Sequence, residues 1–422
     1  MSAIITEKFR QHNANQFSES FTETAGNAYY LFLGKATGFT SGTTTGSDSS
    51  PPTPQDGEQD ETRAWDAMLA AKKITSSDIT FAIPRRNWAN GTTFDMYEHD
   101  VSSSNTSTSG ASNLYDSTFY FVTSAFRVYK VLDNNAGTAY DGAEPTSTSS
   151  SAFELGGYVL KYMYSISTTD IGKYVTTDFV PVSTDSTVSA AAVDGAIESL
   201  RVTAGSGYTD GTYYAAVYGD GTNQGTSSGA IVRITVSGGA IAAFGLTAGT
   251  DTTIHAAGAS YTFGTVNLGD DFIFSDTSLS SSTTLGSSGT GGAIEVIISP
   301  KEGHGNDATT ELGGHYVMTA TTLSQAEGDD LTTANDFRQV GLVVDPTTFG
   351  TSTVASATTA RQTYVVKGSA TSGTFEADEQ ITQASTGAVG KVVEFDSDRS
   401  LLYYQQERFS GFGTNATNSG FT

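Results

Sequence analysis

The sequence predicts a mainly β protein with a sandwich core. Glycine accounts for 46 of the 422 residues, and long serine and threonine tracts take the place of residues that favour helices. Residues 114–132 and 153–182 alternate aromatic or branched apolar side chains with polar ones, which is the pattern of half-buried strands. We therefore expect these two segments to form the core of the sandwich.

The length of the chain and changes in composition along it predict four parts. A chain of 422 residues is too long for one ordinary core. Its opening, residues 1–33, reads as extended, and a helix is expected at about residues 60–73, where an acidic first turn and terminal lysines suit the helix dipole. The four parts are the first part of the sandwich core (1–185), an inserted glycine-rich β domain (186–298), the second part of the core (299–349), and a small C-terminal β module with a tail (350–422).

The composition excludes several classes of protein. The net charge is −24, with 45 acidic against 21 basic side chains, which opposes nucleic-acid binding because that binding depends on Lys and Arg displacing phosphate counterions. The chain has no cysteine, so disulfides, thiol nucleophiles and zinc sites with Cys ligands are excluded. No stretch approaches the ~20 apolar residues of a membrane helix, and the start lacks a secretory signal. We expect synthesis in the cytoplasm, no membrane insertion and no cofactor.

Residues 81–88, FAIPRRNW, join an apolar strand to the only adjacent arginine pair in the chain. Pro84 fixes its own backbone and holds the preceding residue extended, so the two arginines leave the strand in a defined direction. Guanidinium groups suit bidentate contacts with carboxylates, which this chain offers in number. The pair can act as an internal brace, a self-association contact or a partner surface. The candidate interface residues are Pro84, Arg85, Arg86 and Trp88.

Eight segments of the chain, this junction among them, carry a family resemblance. The opening AIITEKFRQHNANQF (residues 3–17) is one of them. The others are YLFLGKATGF, DETRAWDAMLAAKK, AFRVYKVLDNN, GGYVLKYMYSI, SPKEGHGNDATTELGGHYVM and TTANDFRQVGLVVDP. Together they resemble the baseplate wedge subunit, of the gene product 8 type, of contractile-tailed phages. The resemblance covers residues 1–183 and 299–346, whereas residues 186–298 and 350–422 depart from the compact members of that family.

This resemblance implies a structural virion protein located in the tail baseplate. Such a protein forms a homodimer and binds other baseplate wedge proteins. The resemblance also implies a layered β-sandwich core with one or two helix-bearing loops, and no catalytic residue. The mechanism would be interface chemistry, in which buried aromatic clusters stabilise the contacts and Arg85 and Arg86 order one of them.

Two sets of side chains have the chemistry of metal ligands without a complete motif. The first set falls at positions one, three, nine and twelve of a calcium-loop spacing: Asp133, Asn135, Asp141 and Glu144. Gly137 and Thr138 stand where that loop needs an oxygen ligand and a glycine, so a solvated acidic loop is the alternative. The second set lacks the spacing of a helical zinc motif, and ordinary turn and strand-end positions are the alternative: His304, Asp307, Glu311 and His315.

Two other functions remain open from the residues. A receptor- or carbohydrate-binding tail protein would use tyrosines that stack on sugars, although the same residues also fill β cores: Tyr208, Tyr213, Tyr214 and Tyr218. A tail-associated hydrolase would need a nucleophile or an acid pair. The G-x-S-x-G pattern at residues 225–229 lies among glycines and serines instead of between a strand and a helix. We therefore expect no enzyme activity.

Overall fold

The computed structural model describes residues 6–23, 26–36, 38–39, 47–53, 57, 64, 67–322, 337–347, 352–355, 364–368, 374–376, 378–385 and 387–408. The helices with defined bounds in these ranges are α1 (Glu7–Glu19), α2 (Thr168–Tyr174), α3 (Ser186–Ala191) and α4 (Ala308–Glu311). None of the described helices is long and apolar enough to cross a bilayer.

Strands dominate the described residues. The first twelve are β1 (Tyr29–Gly34), β2 (Met68–Lys73), β3 (Ile79–Pro84), β4 (Tyr120–Val122), β5 (Arg127–Asp133), β6 (Phe153–Leu155), β7 (Tyr158–Ser165), β8 (Phe179–Pro181), β9 (Ile197–Thr203), β10 (Gly211–Gly219), β11 (Ile231–Ser237) and β12 (Ala240–Ile241). The remainder are β13 (Thr253–Ala256), β14 (Gly264–Val266), β15 (Ile273–Phe274), β16 (Ser282–Thr283), β17 (Ala293–Ile298), β18 (Tyr316–Thr319), β19 (Gln339–Val344), β20 (Tyr364–Lys367), β21 (Gln380–Gln383), β22 (Ala388–Asp396) and β23 (Leu401–Arg408). Their sheets are antiparallel, so the prediction of a mainly β protein is confirmed.

The chain divides into two compact units. Unit 1 combines Met1–Thr24 with Thr75–Thr322, and unit 2 combines Ala25–Ile74 with Leu323–Thr422. The division of the sequence into four parts, with boundaries after residues 185, 298 and 349, stays a prediction.

Unit 1 is built from three sheets. The central sheet has the strand order β4-β5-β7-β6, and the outer sheet has the order β18-β3-β8. The large sheet follows the path β12-β11-β10-β14-β17-β9, with β13, β15 and β16 attached. The hairpin between β11 and β12 turns at Gly238 and Gly239, which both have positive φ angles of 63° and 79°, as the glycine pair predicts.

The central sheet is buried on both faces. In β7 every residue except Ser165 is buried. Tyr129 and Val131 of β5 share one hydrophobic cluster with side chains of the outer sheet, whereas Leu132 packs with the large sheet in a second cluster. Apolar side chains on both faces of one sheet require a layer on each side. Unit 1 is therefore a layered β-sandwich, and the large sheet that forms one of its layers lies within residues 197–298.

The described residues of unit 2 form two smaller sheets. The first has the order β19-β1-β2, and the second has the order β20-β23-β22-β21. Ile381, Val392, Leu402 and Tyr404 form the buried core of the second sheet. The predicted tail, residues 410–422, lies outside the described residues.

The predicted extended opening is wrong for Glu7–Glu19, which form α1. Thr6 caps the helix, because its Oγ1 accepts a hydrogen bond from the Phe9 N–H group at 3.3 Å. Ala14 is the only buried residue of α1, so the segment has no apolar stripe from which a helix could be predicted. Polar contacts hold it instead, including one from Gln11 Nε2 to the Thr310 carbonyl at 3.1 Å.

The predicted helix at about residues 60–73 is wrong for its second half. Ala64 and Ala67 are helical, but Met68–Lys73 form β2. The backbone of β2 pairs with β1, from Lys73 opposite Tyr30 to Met68 opposite Gly34. Alanine, leucine and lysine favour helices, but this preference is weak, and pairing with a neighbouring strand overrides it.

Candidate functional site

The arginine junction, residues 84–88, is fixed on both sides by backbone hydrogen bonds. The Arg85 N–H group donates to the Asp178 carbonyl at 2.7 Å. Val122 of β4 accepts from the Trp88 N–H group at 2.9 Å and donates to the Arg86 carbonyl at 2.7 Å. The junction therefore continues the outer sheet toward the central sheet in one defined conformation, as Pro84 predicts.

Arg86 is directed into unit 1. Its Nη2 donates to the Tyr115 carbonyl at 2.7 Å, and its guanidinium carbon lies 4.4 Å from the centre of the Tyr120 ring. The Tyr120 hydroxyl in turn donates to the Pro84 carbonyl at 2.8 Å. Burial lowers the pKa of Arg86, and the neighbouring Tyr120 and acidic groups partly oppose this shift. Arg86 is thus an internal brace.

Arg85 contacts its own chain nearer to the surface. Its Nε donates to Asn87 Oδ1 at 2.8 Å and its Nη1 donates to the Thr176 carbonyl at 2.9 Å. The side chain is half-buried, and its guanidinium carbon lies 5.8 Å from the centre of the Phe126 ring. Neither arginine forms an ion pair with a carboxylate of the described residues. Of the three roles predicted for the pair, the brace is the one that these contacts support.

We expect Arg86→Ala to lower the free energy of unfolding of unit 1 by about 2 kcal/mol, because the partly buried Tyr115 carbonyl loses its charged donor. Arg85→Ala is the matched control, since it removes the same type of side chain from the next residue. It should cost about 1 kcal/mol or less because its contacts are nearer to solvent. Denaturant titration of the three proteins measures both values. Equal losses for the two variants would contradict the assignment of Arg86 as the brace.

A second polar cluster lies inside unit 1 and involves a lysine that the sequence did not single out. Lys130 of β5 is fully buried, and its Nζ lies 2.9 Å from Glu311 Oε2 and 2.7 Å from His304 Nδ1. The same ammonium group lies 3.9 Å from the centre of the Tyr97 ring. Glu311 Oε1 accepts from the Gly305 N–H group at 2.6 Å. We call these residues the Lys130 cluster: Tyr97, Lys130, His304 and Glu311.

Burial governs the protonation of the Lys130 cluster. It lowers the pKa of Lys130, and Glu311 opposes that shift. It also lowers the pKa of His304 well below its usual value, with the charge of Lys130 acting in the same direction. None of these groups reaches the surface, since Lys130 and His304 are 0% and Glu311 is 3% exposed. The cluster is therefore a closed network that ties β5 to residues 304–311.

The second set of predicted metal ligands is thus divided between different roles. His304 and Glu311 meet at Lys130. Asp307 caps α4, accepting hydrogen bonds from the Thr309 and Thr310 N–H groups, and His315 Nδ1 lies 3.2 Å from Glu7 Oε2. No three His, Asp or Glu side chains among the described residues are placed to hold a metal ion.

The calcium-loop residues also fail to converge. Asp133 ends β5, and its Oδ1 accepts from the Asn135 N–H group at 2.8 Å. Both carboxylate oxygens of Glu144 are occupied by Ser124, through its N–H and hydroxyl groups at 2.6 Å each. Asp141 donates its N–H to the Gly156 carbonyl at 3.1 Å. A single ion-binding centre is not formed by these contacts, and the calcium interpretation stays a prediction without geometric support.

The tyrosines predicted for sugar binding contact their own domain. The Tyr208 hydroxyl accepts from the Gly292 N–H group at 2.9 Å. Tyr213 is buried, and its hydroxyl donates to the Thr209 carbonyl at 2.9 Å. On the other face of β10, Tyr214 packs edge-on against His255 and Tyr218 against Phe272, with ring centres 5.6 Å apart in both pairs. These side chains fill and cover the large sheet.

The predicted hydrolase motif lacks the geometry of a nucleophile elbow. Residues 225–229 form a turn between β10 and β11, so a strand follows the serine where the elbow requires a helix. This arrangement supports the interpretation of the pattern as a product of glycine- and serine-rich composition.

Comparison with known proteins finds a family similarity in the first part of the chain. Residues 3–151 match the family model of Gp8 of bacteriophage T4. The matched segment contains α1, the arginine junction and strands β4 and β5 of the central sheet. No curated protein matches the chain. Residues 3–151 are therefore similar to the baseplate wedge subunit of the gene product 8 type, and this similarity supports a structural component of a phage tail baseplate.

Proposed function

We propose that this protein works in the baseplate wedge by associating with itself and with other wedge proteins, through binding and without catalysis. The family match over residues 3–151 carries the proposal. The layered core supports it. The central sheet is buried on both faces, and such close packing holds the segments that connect its strands in fixed positions. A wedge subunit needs such rigid surfaces to meet several neighbours at once.

The arginine junction is our candidate for one of these contacts. Pro84 and Arg85 form its outer side. Arg85 is half-buried, and its guanidinium group donates hydrogen bonds to groups near the surface. Arg86 and Trp88 hold the segment from inside, through the Tyr115 carbonyl and through a perpendicular packing of Trp88 on Tyr140 with ring centres 5.8 Å apart. A partner carboxylate that approached Arg85 would find a guanidinium already ordered, which reduces the entropy lost on binding.

Location in the particle tests the proposed role. Gold-labelled antibody against the chain should bind at the baseplate of purified virions, and label at fibre tips alone would indicate a receptor-binding protein instead. Absence from virions would reject a structural role altogether.

The interface assignment has its own test in Arg85→Ala, which leaves the brace at Arg86 intact. We expect this variant to lower incorporation into reconstituted wedges at least several-fold while its unfolding curve stays close to that of the unmodified protein. Arg399→Ala removes another arginine, with a side chain 77% exposed in unit 2, and should leave incorporation unchanged. Normal assembly of Arg85→Ala would remove the junction from the interface.

A further inference from the structure

Strand β19 is an apolar edge strand. Among the described residues it pairs with β1 alone, in the order β19-β1-β2. Its outward side chains are unusually exposed for their type: Val340 is 62%, Leu342 is 39% and Val344 is 49% exposed. On the same face, Leu342 is opposite Leu31 and Val340 is opposite Leu33 of β1. Within the described part of unit 2, the sheet therefore presents a continuous apolar stripe that ends at an unpaired edge.

Strand β19 itself lacks two of the features by which monomeric proteins protect edge strands. Edge strands are commonly interrupted by charged side chains or proline, which prevent pairing with other chains. The sequence of β19 is QVGLVV and contains neither. The strands β1 and β2 contain no acidic residue either, although the whole chain carries a net charge of −24. A second molecule with the same charge could approach this sheet with little repulsion.

The hydrogen-bonding direction of the strand follows from its pairing with β1. The Asp345 N–H group donates to the Ala28 carbonyl at 2.8 Å. In an antiparallel ladder the bonded residues alternate, so Val343 and Gly341 direct their backbone groups toward β1. The N–H and C=O groups of Val340, Leu342 and Val344 consequently point to the open edge.

We infer that β19 pairs with β19 of a second copy of this chain, antiparallel, about a two-fold axis at Leu342. This inference rests on the proposed function, which includes self-association. In this register Leu342 is opposite its own copy and Val340 is opposite Val344, so the outward backbone groups bond to one another. The two outward positions on either side of Leu342, Val340 and Val344, carry the same apolar residue. A second copy fits the edge because a two-fold contact requires a self-complementary surface.

Single cysteines test this register directly, because the chain has no cysteine of its own. Bonded antiparallel partners have Cα atoms about 5.5 Å apart, within the range that a disulfide spans. Leu342→Cys should therefore give a disulfide-linked dimer on mild oxidation. Val340→Cys is the matched control on the same strand, since the two copies of residue 340 would lie about 13 Å apart and could not be bridged. Val193→Cys, 46% exposed in unit 1, controls for random collision.

Leu342→Lys provides a second measurement, since it places like charges opposite each other on the axis. We expect the dimer to dissociate at least tenfold more readily in sedimentation experiments, with circular dichroism unchanged. Absence of the Leu342→Cys disulfide, or equal cross-linking at position 340, would overturn the register. If the cross-linking failed but the unmodified protein sedimented as a dimer, the proposal of self-association would be retained and β19 would be rejected as the contact surface. If it stayed monomeric yet entered the baseplate, the second copy would be overturned as the occupant of this edge.

Discussion

Glu311→Gln is expected to lower the free energy of unfolding of unit 1 by about 3–5 kcal/mol, the usual loss when one partner of a buried ion pair is removed. The variant retains an oxygen that can accept from the Gly305 N–H group, so the change acts mainly on charge. Lys130 is completely buried, and Glu311 is the only carboxylate within 4 Å of its Nζ among the described residues. The lysine must then either stay charged without a partner or lose its proton, and both alternatives destabilise the fold.

Two further variants separate the charge pair from packing. Lys130→Met should cost a similar amount, because it leaves the Glu311 carboxylate buried without its cation. The double variant Lys130→Met with Glu311→Gln should recover to within about 1 kcal/mol of the unmodified protein, since neutral pairs of similar volume often replace buried ion pairs without loss. Arg10→Met, which removes a more exposed ion pair with Glu7, should change the stability by less than about 1 kcal/mol. Calorimetry of the unit 1 transition gives the four values, and additive losses in the double variant would contradict a coupled pair.

The Lys130 cluster shows where sequence reasoning ends. The alternating pattern around FRVYKVL predicts strand β5 correctly. In this strand Lys130 stands between the apolar-patterned residues Tyr129 and Val131. A charged residue within an apolar strand indicates an exposed face on most sheets. Here the sheet has a layer on each side, and the carboxylate that neutralises the lysine lies 181 residues later in the chain. The pattern of one strand contains no information on such a distant partner.

The two helix errors have the same physical origin. Segments rich in aromatic and branched apolar residues gave the correct strands because their burial is encoded locally, as in β7. The segment at residues 68–73 has helix-favouring residues, yet it forms β2 because β1 offers it a ladder of backbone bonds. In α1 the reverse holds, since its capping threonine is a weak signal and its polar anchor at Thr310 lies some 300 residues away.

At the arginine junction the sequence predicts a fixed direction for the two arginines, but it does not predict which groups accept their hydrogen bonds. Pro84 and the pair of arginines indicate a fixed strand end with directed donors, and the structure has one. The sequence favoured carboxylates as the acceptors because they are so numerous. The acceptors are instead the Tyr115 and Thr176 carbonyls and the amide of Asn87. Backbone carbonyls belong to every residue, so no residue pattern marks the ones that a side chain will reach.

Asp133→Asn is expected to stabilise unit 1 at neutral pH. Burial raises the pKa of Asp133 to about 6, with the nearby carboxylates of Glu154 and Glu98 adding to the shift and the bond from the Asn135 N–H group opposing it. Its unfolded pKa is near the ordinary 3.8. Below about pH 3 the group is neutral in both states, so it costs nothing. Above about pH 6 it is ionised in both, and a difference of about two between the pKa values costs the folded state roughly 3 kcal/mol.

The variant removes this cost and keeps an oxygen that can accept from the Asn135 N–H group. Its free energy of unfolding should exceed that of the unmodified protein by up to roughly 3 kcal/mol at pH 7, and the difference should fall below about 1 kcal/mol as the pH falls from 6 to 4. Denaturant titrations at pH 4, 5.5 and 7 measure this trend, and equal stability of the two proteins at every pH would contradict it.

Added calcium tests the alternative interpretation of Asp133, as a metal ligand, with the same variant. A bound ion requires Asp133 ionised and would compensate its burial. If added calcium stabilised the unmodified protein and Asp133→Asn lost that effect, the residues from Asp133 to Glu144 would be a metal loop. If calcium changed neither protein and the asparagine variant was the more stable one at pH 7, Asp133 would be a desolvated carboxylate at the end of β5. The contacts of Glu144 with Ser124 favour the second result, because a carboxylate with both oxygens already occupied has to break those bonds before it can bind an ion.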